Sequence, residues 1–222
     1  MYDLNQLAQT WQQVCSNLSI DLLDRDISKQ QSIDRIFKLL VTAYTQSDRH
    51  YHNLNHIDRI LTTINRFSDF HSPRALYFAA WFHDFVYNSQ ASGNEIQSVK
   101  TARDLLANLG ESQATIERVS LLILATDGHK TDPKDRDLSI FLDADLAILG
   151  TPLVVYQAYQ QSIRREYSWV ADATYQTGRI RVLESFLARD RIYHTELLSN
   201  ELESIARLNL EGEIDFLKRR WE

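Results

Sequence analysis

The stretch Ser72-Pro-Arg-Ala-Leu-Tyr-Phe-Ala-Ala-Trp-Phe-His-Asp-Phe-Val-Tyr87 decides how this chain reads. It opens on a hydroxyl that can cap and a proline at the first helical position, and apolar residues then follow one another. This predicts a buried helix with His83 and Asp84 in its third turn. A carboxylate in such surroundings is costly unless it is paired or coordinates a cation, and a divalent ion is the partner that also uses a neutral imidazole. Two other segments offer similar side chains among apolar neighbours. They are His56 in Tyr51-His-Asn-Leu-Asn-His-Ile-Asp-Arg-Ile-Leu61 and Asp145 in Phe141-Leu-Asp-Ala-Asp-Leu-Ala-Ile-Leu149.

Outward from this stretch, apolar residues recur three and four positions apart through most of the chain, so the expected architecture is an all-α bundle. A first helix is predicted over roughly residues 3 to 18 with Asp3 as N-cap. A second covers roughly 28 to 46, with Ser28 as cap and Ile33, Ile36, Phe37, Leu40 and Val41 on its inner stripe. The next begins near His56 and buries Ile57, Ile60, Leu61, Ile64 and Phe67. Asn88 to Gly93 reads as a loop, Asn94 as the cap of a helix ending at Gly110, and Ser112 to Thr126 as a further helix. The polar interval Asp127 to Asp137 reads as an exposed loop rather than a linker. Beyond it come the helix holding Asp145, a long helix from Pro152 to about Trp169, and two more. No internal repeat appears, which removes solenoid folds.

The 222 residues suit one sizeable core. The expectation is a single domain over 1–222, with a core that includes the metal ligands at about 48–150 and C-terminal helices at about 152–220 covering the site. Only 6 glycines and 3 prolines favour long helices. A net charge of −6 argues against binding a nucleic-acid polymer, which requires a positive excess to displace counterions. The single cysteine, Cys15, excludes an internal disulfide framework, reads as a small buried hydrophobe, and fits a cytoplasmic location. The opening Met-Tyr-Asp-Leu-Asn-Gln has neither the charge nor the apolar run of a secretory signal, and no segment resembles a membrane span.

Two imidazoles and two carboxylates suit one divalent ion of the Mn, Fe, Co, Ni or Mg type better than a thiolate-loving zinc site. Adjacent helical residues diverge by about 100°, so the remaining ligands must come from other helices, as in the interior of a bundle. The order His56, His83-Asp84, Asp145 resembles the HD-domain superfamily of metal-dependent phosphohydrolases, whose signature is His…His-Asp…Asp on an all-α core. The resemblance extends to Arg49-His-Tyr-His-Asn-Leu-Asn-His-Ile57, Trp81-Phe-His-Asp-Phe-Val-Tyr87, Asn94-Glu95, Phe141 through Gly150, Ile163-Arg-Arg-Glu-Tyr167, Gly178-Arg179 and Arg191-Ile-Tyr193. These stretches look like a bacterial branch of predicted HD phosphohydrolases and span most of residues 30 to 210.

The resemblance implies that His56, His83, Asp84 and Asp145 are metal ligands. His52 competes with His56 for the first place and Asp143 with Asp145 for the last. Dinuclear relatives carry two further histidines before the final aspartate, whereas this chain has only His129 there, so one ion is expected. Such an ion lowers the pKa of a bound water and polarises a phosphoryl oxygen, and in-line attack then splits a phosphoester. Asp84 and Glu95 are the catalytic candidates, Glu95 as general base or water-orienting group. Some relatives place an acid three or four positions after the His-Asp pair, where this chain has Tyr87 and Asn88, which argues against alarmone pyrophosphohydrolysis.

Arg164, Arg165 and Arg179 are the candidates for binding substrate phosphates, with His52 and Lys130 beside them and Arg189 and Arg191 as further options. His129 and Lys130 are placed to form a lid. Tyr51, Tyr87, Tyr167, Tyr175 and Tyr193 are available to stack a base. The expected substrate is a small phosphorylated metabolite, nucleotides included. Alternative readings are a non-catalytic metal- or nucleotide-binding regulatory protein and a metal-dependent oxygenase.

Overall fold

A computed structural model describes residues 2–16, 27–129, 132 and 134–219, and every regular element among them is helical. The expected all-α class is therefore found. No single helix among the described residues is long and apolar enough to cross a membrane. The chain divides into two compact units, residues 1–130 and 131–222, and the division falls inside the polar interval 127–137. His56, His83 and Asp84 belong to the first unit and Asp145 to the second.

The first unit comprises α1 (Leu4–Ser16), α2 (Ile27–Tyr44), α3 (Leu54–Ile64), α4 (Pro73–Phe82), α5 (Asn94–Asn108) and α6 (Gln113–Ala125). α4 is its core helix, with Leu76, Phe78, Ala79, Ala80, Trp81 and Phe82 all fully buried. A helix apolar on every side has to be covered on every side. Trp11 of α1 supplies part of that cover, meeting Phe78, Trp81 and Phe82 edge-on at centroid distances of 5.8, 5.9 and 6.2 Å. Its indole N–H donates to the Ile33 carbonyl of α2 at 3.0 Å. On α3 the expected stripe Ile57, Ile60, Leu61 and Ile64 is buried, as is Phe67 just beyond it. Arg74, in the first turn of α4, donates to the Val14 and Cys15 carbonyls at the end of α1 and pairs with Glu111 at 2.5 and 2.8 Å. One guanidinium thus caps α1 and ties α4 to the α5–α6 turn. Cys15 is fully buried, and burial pushes its thiol up to about 12, as suits a small core residue.

Several helix starts agree with the sequence. Asp3 Oδ1 accepts from Asn5 N at 2.8 Å, and Ser112 Oγ accepts from Thr115 N at 3.1 Å. Others differ. Ser28 lies inside α2, which is described from Ile27. Ser72 contributes its carbonyl to Leu76 N at 3.1 Å and no side-chain cap bond, so Pro73 and backbone geometry start α4. Asn94 instead clasps the preceding loop, its Oδ1 accepting from Asn88 N and its Nδ2 donating to Asn88 O, both at 3.1 Å, while Gly93 takes the cap position at φ +77°.

The largest difference is the end of α4. The helix stops at Phe82, with His83 as its C-cap, instead of carrying His83 and Asp84 within a third turn. Side chains from elsewhere take the carbonyls that a longer helix would use. Tyr44 Oη donates to Trp81 O at 3.0 Å, and Arg49 donates to Asp84 O at 2.6 Å and to Phe85 O at 2.8 Å. Ser98 Oγ receives Val86 N at 3.0 Å and donates to Val86 O at 3.3 Å. The chain after His83 is therefore a pinned turn.

The second unit comprises α7 (Arg136–Leu146), a 3-10 turn (Ala147–Gly150), α8 (Leu153–Glu166), α9 (Asp172–Leu187) and α10 (Glu196–Arg219). Asp135 caps α7 by accepting from Leu138 N at 3.0 Å. α10 packs so closely on the 3-10 turn that a Cβ at Gly150 would lie 2.5 Å from Leu202 Cβ and 2.9 Å from its carbonyl oxygen, which only glycine permits. Asn209 Nδ2 holds the same turn through Leu149 O at 2.8 Å and Thr151 O at 2.9 Å. α8 ends at Glu166, short of the expected Trp169. Arg164 ends it by donating to Tyr167 O at 2.6 Å, Val170 O at 3.0 Å and Asp172 Oδ1 at 2.6 Å.

Candidate metal centre

His56 sits on the first turn of α3 because Asn53, accepting from Asn55 N at 2.9 Å, starts the helix just before it. His83 and Asp84 sit at the end of α4, where Arg49 fixes the backbone. Both imidazoles are buried and the Asp84 carboxylate is partly exposed. Three donor atoms converge. His56 Nε2 and His83 Nε2 are 3.1 Å apart, Asp84 Oδ2 is 3.0 Å from His83 Nε2, and it is 3.5 Å from His56 Nε2.

This triangle fits a divalent ion. Metal–ligand bonds of about 2.1 Å at right angles place neighbouring donors about 3.0 Å apart, which the three edges approach. The chemistry of the donors fits as well. His83 Nδ1 lies 3.1 Å from Ala80 O, and a carbonyl can only accept, so this bond puts the proton on Nδ1 and leaves the Nε2 lone pair facing the triangle. With no ion present, burial pushes the Asp84 carboxyl up, but the positive charge that His83 and His52 can carry and hydrogen bonds from His56 and His83 outweigh it and hold the group well below the usual carboxylate range; an ion in the triangle would stand in place of those facing protons. The triangle therefore offers two nitrogens and one carboxylate oxygen, and two imidazoles beside one acid are what a hard-to-borderline cation takes.

His52 stands beside the triangle rather than in it. Its ring stacks on Tyr87 at 4.2 Å and lies 5.7 Å from the His56 ring, and Tyr51 lies 4.9 Å from both histidine rings. Of the two candidates for the first ligand, His56 is the one whose nitrogen meets His83 and Asp84. Glu95 is half-buried in the first turn of α5, following the clasped loop 88–93, and is outside the three-donor group.

The remaining candidates lie in the second unit. Asp143 is fully buried and accepts from His194 N at 2.8 Å and Thr195 N at 2.7 Å, so it anchors the start of α10. Burial pushes its carboxyl up to about 6, against the lowering effect of those N–H groups, the Thr195 hydroxyl and Arg136. Asp145, two residues on, is half-buried; within this unit the Tyr159 phenol is pushed up chiefly by burial, with Asp145 adding a small further push. Arg164 holds the α8–α9 turn and also lies 4.6 Å over the Tyr175 ring. Arg165 is exposed on the wall of a groove of about 810 Å³ between α8 and α10, lined also by Leu153, Leu208 and Phe216.

Arg179 is paired with Glu213 through Nε at 2.8 Å and Nη2 at 3.1 Å, and Tyr156 Oη donates to the same carboxylate at 2.5 Å. Arg189 lies over Phe186 at 4.6 Å, and Arg191 is exposed. Tyr193 is a core residue whose hydroxyl donates to Leu146 O at 3.0 Å. Lys130 lies outside the described residues.

The site residue that sequence reading missed is Arg49. It is buried, and its guanidinium reaches the carbonyls of Asp84, Phe85 and His52. An arginine in the polar segment before His52 carries no periodic signal, and its partners 35 and 36 residues away are visible only once the chain is folded. The chain matches no protein-family model and no curated protein sequence.

Proposed function

We propose that this protein is a divalent-metal-dependent phosphohydrolase of the HD-domain type that cleaves a phosphoester of a small phosphorylated metabolite, nucleotides included, in the cytoplasm. The observation that carries the reading is the convergence of His56 Nε2, His83 Nε2 and Asp84 Oδ2 with separations of 3.1, 3.0 and 3.5 Å. A divalent ion held there supplies Lewis acidity at a phosphoryl oxygen and an activated water. Asp84, kept ionised, provides the charge of the ligand set, and the Nδ1 bond to Ala80 orients His83. His52 with Tyr51 and Tyr87 forms an aromatic rim beside the ligands, suited to a ring or phosphate of the substrate. Glu95 is assigned, on the sequence pattern alone, as general base or water-orienting group. Arg165 and Lys130 remain assigned to phosphate on the sequence pattern, whereas Arg164 and Arg179 are engaged within their own unit by the α8–α9 turn and by Glu213.

The test is phosphate release from a panel of nucleotides and sugar phosphates with Mn²⁺, Co²⁺, Ni²⁺ and Mg²⁺ supplied singly. Turnover is expected with at least one ion and is lost on chelation. Turnover that a chelator leaves intact contradicts the proposal.

Asp145 is assigned as a fourth ligand from its place in the sequence order. Exchange at the two neighbouring aspartates separates their roles. Asp143→Asn weakens the two N–H bonds at the start of α10 and lowers stability by about 1–3 kcal/mol, with metal affinity unchanged. Asp145→Asn lowers metal affinity at least about tenfold. Urea unfolding and metal titration of both variants read the two effects, and the reverse pattern would assign the ligand to Asp143.

A further inference from the structure

Resting on the metal reading above, we infer that Arg49 is the positioning residue of the centre, tying the segment that carries His52 and His56 to the turn that carries Asp84. Arg49 lies between α2 and α3 with 6% of its surface exposed. Nη1 donates to Asp84 O at 2.6 Å and to His52 O at 3.4 Å, Nη2 donates to Phe85 O at 2.8 Å, and Nε faces Gln46 Oε1 at 3.4 Å. The guanidinium carbon lies 5.0 Å from the centre of the Tyr44 ring and 5.5 Å from that of Tyr87.

Each of those acceptors is a neutral oxygen. A buried cation bound only to neutral acceptors beside a cation site gains nothing from Coulomb attraction to a bound ion, since the two charges repel. What the guanidinium supplies is geometry: a rigid planar fork that meets carbonyls of two segments at once. Two of the carbonyls lie just past the end of α4, where a helix presents its negative pole, which offsets the cost of burying the charge. Without the fork, the turn after His83 and the loop before α3 lose their shared anchor. The triangle of donors then depends on two independently moving segments, and an ion bound by such a triangle is held less tightly.

Lysine keeps the charge and loses the fork, so Arg49→Lys separates the two roles. Co²⁺ affinity by calorimetric titration and the Co²⁺ visible absorption band, which reports ligand geometry, are read for wild type and variant, with melting temperature as the check on folding. The expected result is a folded variant that binds Co²⁺ about tenfold to a hundredfold more weakly, with an altered band. A folded Arg49→Lys with wild-type affinity and band overturns the inference while leaving the metal reading intact. Should Arg49→Lys fail to fold, Tyr87→Leu is decisive. It removes no acceptor of Arg49 but takes away one ring that holds the plane of its guanidinium, which loosens the fork, so a Co²⁺ affinity at least about threefold weaker supports the inference, and an unchanged affinity and band overturn it. A wild-type protein that binds no Co²⁺ overturns the metal reading and this inference with it.

Discussion

On the proposed phosphohydrolase reading, Asp84→Ala is expected to lower turnover at least about 10³-fold, because a Lewis-acid site would contribute several kcal/mol to the transition state and about 1.4 kcal/mol is a decade of rate. Asp84 supplies the only carboxylate among the three converging donors, and its Oδ2 is 3.0 Å from His83 Nε2. Removing it leaves two neutral imidazoles, which hold a hard divalent ion far less well than an N,N,O set. The fold is spared, since Arg49 grips the backbone carbonyl of residue 84 and not its side chain. Initial rates and metal titration of a variant with a wild-type melting temperature check this. Rates within tenfold of wild type would place the chemistry elsewhere.

The second large effect is on stability. Glu213→Ala is expected to cost about 3–5 kcal/mol, the usual loss when one partner of a buried ion pair is removed. The Glu213 side chain is 4% exposed and that of Arg179 is 9% exposed. The same carboxylate is the acceptor for the Tyr156 hydroxyl at 2.5 Å, so truncation takes that acceptor from the phenol and leaves the guanidinium with the Tyr159 hydroxyl at 3.3 Å in place of a carboxylate. The Tyr156 phenol is pushed far up, first by burial and then by Glu213, so it stays protonated and keeps donating at every pH the fold tolerates. Replacing both charged partners by apolar residues, Arg179→Met with Glu213→Leu, should recover most of the loss. Urea unfolding of the single and double variants measures both. A single-variant cost under about 1 kcal/mol would mean that the pair is solvated, and would leave Arg179 available to a ligand.

Local features were legible where the cause lies within a few residues. α3 shows its apolar stripe in Ile57, Ile60, Leu61 and Ile64, and Asp3 and Ser112 announce the helices that they cap. What could not be read has its cause far along the chain. α4 ends at Phe82 because Tyr44, Arg49 and Ser98 take carbonyls 37, 35, 36 and 12 residues away, and nothing between Ser72 and Tyr87 reveals that. α8 shows a milder case, since Arg164 turns back on its own C-terminal carbonyls instead of remaining an unattached charge.

The site divides in the same way. His56, His83 and Asp84 were readable because metal-capable groups among apolar neighbours have few other reasons to be there. Asp143 and Asp145 differ by two positions on one helix, and only the N–H groups of His194 and Thr195, some fifty residues on, show which of them is an anchor.

The two imidazoles and the Asp84 carboxylate are proposed to hold a divalent ion. Crystals grown with Mn²⁺ and measured for anomalous scattering test it directly. The account predicts a peak about 2.0–2.3 Å from each of His56 Nε2, His83 Nε2 and Asp84 Oδ2. A map with no peak there, and with His56 and His83 still hydrogen-bonded to each other at saturating Mn²⁺, would contradict it.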